Sequence, residues 1–220
     1  RVSPMPSLEK TALTHVKRAP DRGSYDLKTI HNILDGTPLC HVGYNVDAQP
    51  IVMPTIHWRD DNYVYWHGSR ISRTMLETEG ATVCLTVTHL DGLVLARSAF
   101  HHSANYRSVM IYGTAELVSD EEEKTAALVL LIDKMMPNRW ASLREMTKKE
   151  FAATTVLRLP IEVASAKIRD GGPHDLDEDL DFPVWAGVLP FTTVTGKPVP
   201  CEHNQADQAE PENLTDYRIR

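Results

Sequence analysis

Across residues 26–36 the apolar positions recur at helical spacing, with Leu27, Ile30, Ile33 and Leu34 on one stripe. Asp26 suits the N-cap, and Gly36 followed by Pro38 supplies the stop. From residue 39 to residue 118 the period falls to two. Runs of β-branched and aromatic residues, broken by turn residues, predict strands over 39–46, 51–59, 63–67, 81–88, 93–100 and about 107–118. Asp47-Ala48-Gln49-Pro50 and Asp60-Asp61-Asn62 read as turns. His89-Leu90-Asp91-Gly92 reads as a hairpin, because Asp-Gly is a strong turn pair. Six strands with short connections favour a closed barrel over a sandwich, since closure removes unpaired edges.

Helical spacing then returns. Ser119-Asp120-Glu121-Glu122 reads as a capping box that opens a helix with Leu128, Leu131, Ile132 and Met135 on one stripe, ended by Pro137. A short helix over 147–152 and late strands over 155–159 and 163–168 follow. Beyond Asp170 the composition turns to Asp, Pro and Gly and predicts no regular structure. Phe182, Val184, Trp185, Val188 and Leu189 are nevertheless apolar enough to pack on the body. The expected organisation is an N-terminal arm over 1–22, a barrel domain over 23–169 and an acidic extension over 170–220.

Charge sharpens that division. The chain of 220 residues has a formal charge of −7, yet residues 170–220 alone carry eleven Asp or Glu against three Lys or Arg. The remaining body is therefore close to neutral, which argues against a sequence-independent nucleic-acid binder. Cys40, Cys84 and Cys201 share no close spacing and read as free thiols of a reducing compartment, so a cytoplasmic protein is expected. No apolar run is long enough for a membrane span, and the first residues lack the apolar core of a signal peptide. Histidines fall in or beside strands at His57, His67, His101 and His102, without the spacings of a metal motif, and no metal site is predicted. A G-x-S-x-G elbow, a P-loop and the Rossmann glycine fingerprint are all missing from the sequence.

Candidate chemistry concentrates between Tyr63 and Leu76. A strand ends near His67, Gly68 allows a tight turn, and a short helix starts near Ser72. A strand that feeds a helix N-terminus through small hydroxylated residues suits an anion, with Arg70 or Arg73 as the charged grip. A capped surface helix with solvated arginines fits the same spacing. Between Lys28 and Lys124 there is no lysine, whereas Arg59, Arg70, Arg73, Arg97 and Arg107 fall in that stretch, a bias expected where planar recognition of phosphate matters.

Three segments in order resemble the FMN-binding split-barrel family related to pyridoxamine 5′-phosphate oxidase, especially its nitroimidazole-reductase-like branch. They are Ile51-Val52-Met53-Pro54-Thr55, then Tyr65-Trp66-His67-Gly68-Ser69 leading to Ser72-Arg73 and Leu76, then Asn105-Tyr106-Arg107-Ser108-Val109 followed by Gly113. The resemblance implies a mainly β fold with flanking helices: a six-stranded split β-barrel that forms a homodimer with flavin at the subunit interface. By that analogy Met53, Pro54 and Thr55 line the isoalloxazine edge, His67, Gly68 and Ser69 continue the wall, and Ser72 and Arg73 hold phosphate. Arg97 and Ser98 are further phosphate or ribityl candidates, while Tyr106, Arg107 and Ser108 face the site or the dimer seam. Ser72-Arg73 offers one basic residue where the oxidase has two, and its C-terminal substrate elements are missing. The resemblance therefore implies a flavin reductase acting on a small molecule with NAD(P)H, not vitamin B6 oxidation. FMN is the expected cofactor, with FAD as an alternative; His67 is the candidate for proton delivery. Non-catalytic flavin or haem storage is the rival reading.

Overall fold

The computed structural model describes residues 6–205, 210, 211 and 214; the outermost parts of the expected arm and extension, residues 1–5, 206–209, 212, 213 and 215–220, lie outside them. In chain order the elements are β1 (Gly23–Ser24), α1 (Leu27–Asp35), β2 (Leu39–Val46), β3 (Gln49–Asp60), β4 (Tyr63–Ser69), α2 (Arg73–Thr78), β5 (Thr82–Leu95), β6 (Ser103–Thr114), β7 (Glu116–Leu117), α3 (Glu121–Met135), α4 (Lys148–Ala153), β8 (Thr154–Pro160), β9 (Val163–Arg169) and β10 (Gly187–Pro190). The strands form one antiparallel sheet in the order β1-β9-β6-β5-β2-β3-β4-β8-β7, with β10 added to β5. This is the mainly β split barrel that the sequence led us to expect, with helices at its flanks.

Alternation along the strands sorts side chains between two layers. Val42 and Tyr44 of β2, Val83, Leu85 and Val87 of β5, Val109 and Ile111 of β6, Ala164 and Ala166 of β9, and Trp66 of β4 fill the interior, closed by Ile30, Ile33 and Leu34 of α1. On the outer side of β3, β4 and β8, Trp58, Tyr65 and Val156 pack beneath Ala127, Leu128 and Leu131 of α3. Each of the larger aliphatic side chains among these, Val, Leu or Ile, contributes roughly 1.5–3 kcal/mol by its burial. The split itself lies between β3 and β4. They pair only from His57 opposite Trp66 to Asp60 opposite Tyr63, while the first half of β3 stays with β2 and the end of β4 pairs with β8. Tyr44 Oη donates to Thr74 Oγ1 at 3.3 Å and ties β2 to α2.

The C-terminal end of α1 is held by histidines from two strands. His57 Nε2 lies 3.0 Å from the Leu34 carbonyl and His89 Nε2 lies 2.8 Å from the Ile33 carbonyl. A carbonyl only accepts, so each Nε2 carries hydrogen. These contacts satisfy helix-end carbonyls that otherwise need water.

Local signals and structure part at several points. The expected hairpin at Asp91-Gly92 is instead the middle of β5, which pairs with β6 along its length and shifts register between Leu90 and Gly92 as a bulge. Gly92 is needed there for close approach: an added Cβ would lie 2.7 Å from the Leu189 carbonyl of β10. The first turn is only Asp47 and Ala48, both at positive φ, with Gln49 and Pro50 already in β3. Helix α3 is capped not by Ser119 but by Asp120, whose carboxylate accepts from the Glu123 N–H at 2.8 Å, and Met135 at its end is 43% exposed. Gly68 does not make the turn either. It lies inside β4, where a Cβ would come within 2.7 Å of Met75 Cγ, so its role is to seat α2 on the strand.

The extension acquires structure through β10, yet Phe182, Val184, Trp185 and Leu189 point largely to solvent. It is clipped to the body by Asp175, which accepts from the Arg97 backbone N–H and from its guanidinium, both at 2.8 Å. Among the described residues no helix is long and apolar enough to cross a membrane.

Burial holds the His57 pKa at about 4, below the ordinary value of 6.5. The unfolded chain therefore takes up a proton first, and the stability His57 contributes is complete above about pH 6.5 and is lost as pH falls toward 4, by at most roughly 3 kcal/mol. Urea midpoints measured between pH 7 and 4.5 should fall more steeply for the wild type than for His57→Gln, which keeps an N–H for the Leu34 carbonyl; parallel curves would assign the acid lability elsewhere. Gly92→Ala should release β10 and expose the extension to limited proteolysis well before the barrel is cut, and an unchanged digestion pattern would show that β10 docks without that close approach.

Candidate functional site

Register decides which expected residues share a surface. Opposed residues of an antiparallel pair lie on one face. Met53 faces Val42 and Thr55 faces Cys40, so both side chains take the interior side; Pro54 faces His41 on the outer side. The expected triplet thus offers the outer surface one ring and main chain, on the edge of β3 that no strand covers over residues 51–56 among the described residues.

The end of β4 and the start of α2 bring five expected residues together in space. His67 packs on Trp58 with ring centroids 5.8 Å apart, and its Nδ1 is buried without a hydrogen-bond partner. Burial lowers the His67 pKa, so the ring is neutral near pH 7 and is an acceptor or a neutral donor, not a standing imidazolium. Gly68 and Ser69 follow, and the chain turns so that the Ser72 N–H bonds the Ser69 carbonyl at 2.9 Å. Ser72 occupies the N-cap of α2 but spends no side-chain hydrogen bond on it. Arg73 opens the helix, exposed.

The five arginines of the lysine-free stretch divide sharply. Arg59 is paired with Asp35, Arg97 with Asp175 and Arg107 with Asp91. The Arg107–Asp91 pair is two-pronged, at 2.9 and 2.8 Å, and the guanidinium holds the Asp91 carboxyl below its usual range. Arg70 and Arg73 make no ion pair among the described residues, and they flank one turn. Arg97 and Ser98, in contrast, lie beyond the far end of β5. Leu95 is nine residues along that strand from Thr86, which pairs with His41, a separation of roughly 30 Å at 3.3 Å per residue. Tyr106, Arg107 and Ser108 sit on β6 against Leu90, His89 and Thr88, and the Ser108 hydroxyl donates to the Lys167 carbonyl at 3.3 Å. One chain does not gather these three with the β4–α2 turn by sequence contact.

A cavity of about 1170 Å³ lies beside that turn, between α2, α3 and α4, walled by Leu76, Leu128, Trp140 and Phe151. Arg70 and Lys124 line it, and Lys124 Nζ donates to the Phe151 carbonyl at 2.8 Å from above the Phe151 ring. Burial lowers the Lys124 pKa against the pull of Glu121, and the Arg70 charge adds a smaller push the same way as burial. The sequence named Arg70 but not Lys124, whose site depends on a helix packing no local pattern records. Among the described residues no group of three or more His, Cys, Asp or Glu side chains is placed to hold a metal ion.

Comparison with known proteins places this geometry. The flavocytochrome Anf3 from Azotobacter vinelandii is 45% identical, with 94% of this chain and 97% of that one covered at a TM-score of 0.91. The FAD and heme binding protein from Mycobacterium smegmatis is 35% identical over 89% of this chain and 96% of its own, at a TM-score of 0.84. A candidate 5-nitroimidazole antibiotic resistance protein from Bacteroides thetaiotaomicron shares the fold at 20% identity, 66% and 86% coverage and a TM-score of 0.54. No protein with a curated description matches. The family model described as pyridoxamine 5′-phosphate oxidase matches residues 26–168, from the cap of α1 to the end of β9, and the chain belongs to that family.

Proposed function

We propose that this chain binds a flavin nucleotide and haem and acts as a flavocytochrome-type oxidoreductase, with FAD as its flavin in place of the FMN expected from sequence. The observation that carries the reading is the likeness, at 45% and 35% identity over nearly the whole chain, to a flavocytochrome and to an FAD and heme binding protein.

The residues at the β4–α2 turn fit a flavin. Among the described residues Arg73 makes no ion pair, Ser72 spends no side-chain hydrogen bond on its helix cap and His67 has an unpartnered buried nitrogen, all within one short stretch beside the uncovered edge of β3. Arg73 and Ser72 would hold phosphate, the β3 main chain at Met53, Pro54 and Thr55 the ring edge, and His67 would bond as a neutral imidazole. A bound flavin would supply the hydride and electron chemistry; the chain supplies grip and orientation. The same reading includes a homodimer, because Leu39, Val52 and Met110 leave 50%, 66% and 40% of their surface exposed on one outer sheet face. It also includes a small-molecule substrate, NAD(P)H as reductant, and a cytoplasmic setting, the last resting on three free cysteines.

Purified protein should absorb near about 450 nm for flavin and near about 400 nm for haem, and NADPH or NADH added without oxygen should bleach the flavin band. Bands that never respond to either reductant would favour storage over turnover. Arg73→Ala should weaken flavin binding by roughly 1.5–3 kcal/mol, the range for a hydrogen bond to a charged group, in a fluorescence titration. Arg97→Ala, whose guanidinium is already paired, should bind flavin as the wild type does. The opposite ranking would move the phosphate site to the end of β5.

A further inference from the structure

The cavity of about 1170 Å³ between α2, α3 and α4 has no part in the flavin grip proposed above, and it is larger than the roughly 300–1,000 Å³ of an ordinary small-molecule pocket. Its walls are apolar. They comprise Leu76 of α2, Leu128 of α3, Phe151 of α4, Val156 of β8, and Trp140 and Met146 on the segment between α3 and α4. Around it Leu76, Leu117 and Leu143 leave 61%, 42% and 42% of their surface exposed. Apolar side chains left in water around a concave site mark a surface that gains from being covered.

Charge on the lining is graded by burial. Glu79, Glu121, Glu145 and Lys148 are exposed at the rim, where water and salt screen them, and the exposed Arg144 guanidinium is taken by the Glu150 carboxylate at 2.9 Å. Lys124 alone among the charged lining residues is half-buried. Its ammonium has three N–H donors, of which one goes to the Phe151 carbonyl at 2.8 Å, and it stands 4.1 Å from the centroid of the Phe151 ring, at the apolar wall itself. Arg70 is near enough for its charge to act on Lys124 and makes no ion pair among the described residues.

Two neighbouring cations at one side of a long apolar wall select an amphipathic acid. A bare inorganic anion would leave the walls wet, and a neutral apolar molecule would leave the half-buried Lys124 charge uncompensated. The rim glutamates repel a doubly charged group more than a singly charged one, so a single carboxylate is the fitting head. Val156 lies opposite His67 across β8 and β4, so the cavity opens on the same sheet face as the His67 ring. The Arg70 N–H bonds the Ala153 carbonyl at 2.8 Å, which fixes the β4–α2 turn to the end of α4 and holds Arg70 at the cavity.

We propose that the cavity between α2, α3 and α4 is a second ligand site, separate from the flavin grip, for an amphipathic monocarboxylate. The carboxylate is held by Lys124 Nζ and the Arg70 guanidinium, and the apolar body lies against Leu128, Trp140 and Phe151. The site accounts for a cation placed at an apolar wall and for the leucines left exposed around it, and it does not depend on the flavin reading.

The test titrates the full chain with dansyl-labelled undecanoate and follows its fluorescence as dodecanoate or dodecanol displaces it. The wild type should bind one probe per chain, and dodecanol should displace it about tenfold less well than dodecanoate, the scale of a hydrogen bond to a charged group. Lys124→Met should weaken acid binding about tenfold and abolish the preference for acid over alcohol. Arg70→Ala, which removes no ion pair from the described fold, should weaken acid binding about threefold, and Lys149→Met, outside the cavity, should bind as the wild type does. No binding of the probe, equal displacement by acid and alcohol, or unchanged acid affinity in both Lys124→Met and Arg70→Ala would overturn the site. Displacement of the probe by FAD or by haemin would give the cavity to a cofactor and overturn it as a separate site. A protein that binds the acid but takes up no flavin would remove the flavin reading and leave this site standing.

Discussion

A strand has two edges, and the way β5 shares them sets the plan of the molecule. One edge is taken by β6 from Thr82 to Val94. The other is divided, with β2 at residues 84–86 and β10 at residues 92–95. The first pairing closes the barrel around Leu85 and Val87, and the second brings the extension home. Division is feasible only because β5 is long and because the bulge at Leu90 and Gly92 re-aims its second half. The missing Cβ of Gly92 admits the Leu189 carbonyl, so one glycine links barrel and extension. The same length keeps the β4–α2 turn and the far end of β5 apart as separate surfaces of one chain.

Electrostatics then distinguishes those surfaces. Arg97 and Arg107 each find a carboxylate supplied by the fold, and both pairs tie elements together. Because Asp175 is almost wholly buried against Arg97, the charge of that arginine is consumed in holding the extension. Arg70 and Arg73 have no such partner among the described residues, so the field beside the β4–α2 turn is not compensated by a neighbouring carboxylate there. The two are not equivalent. Arg70 is fixed through its backbone N–H to the Ala153 carbonyl at 2.8 Å and lines the cavity under α3, whereas Arg73 starts the helix that Met75 seats on Gly68.

Much of this was legible in the chain. The stripe of α1 and the period-two runs are strong, local patterns; α1, β2, β3 and β4 formed where they were expected, while the runs at 81–88 and 93–100 are one strand, β5, that ends at Leu95. The β4–α2 turn was found for a sound reason, since strand, small residues and arginine adjoin in sequence and so adjoin in space. Local patterns failed where a distant partner decides the outcome. Asp91-Gly92 carries a turn signal, but pairing with β6 on one side and β10 on the other outweighs it. His57 and His89 bond carbonyls 23 and 56 residues away, and Arg97 binds a carboxylate 78 residues away. No spacing rule reaches that far. The lysine-free stretch illustrates the limit: composition marked a region rich in arginine, but only the fold shows that Arg59, Arg97 and Arg107 are paired with carboxylates while Arg70 and Arg73 make no ion pair among the described residues.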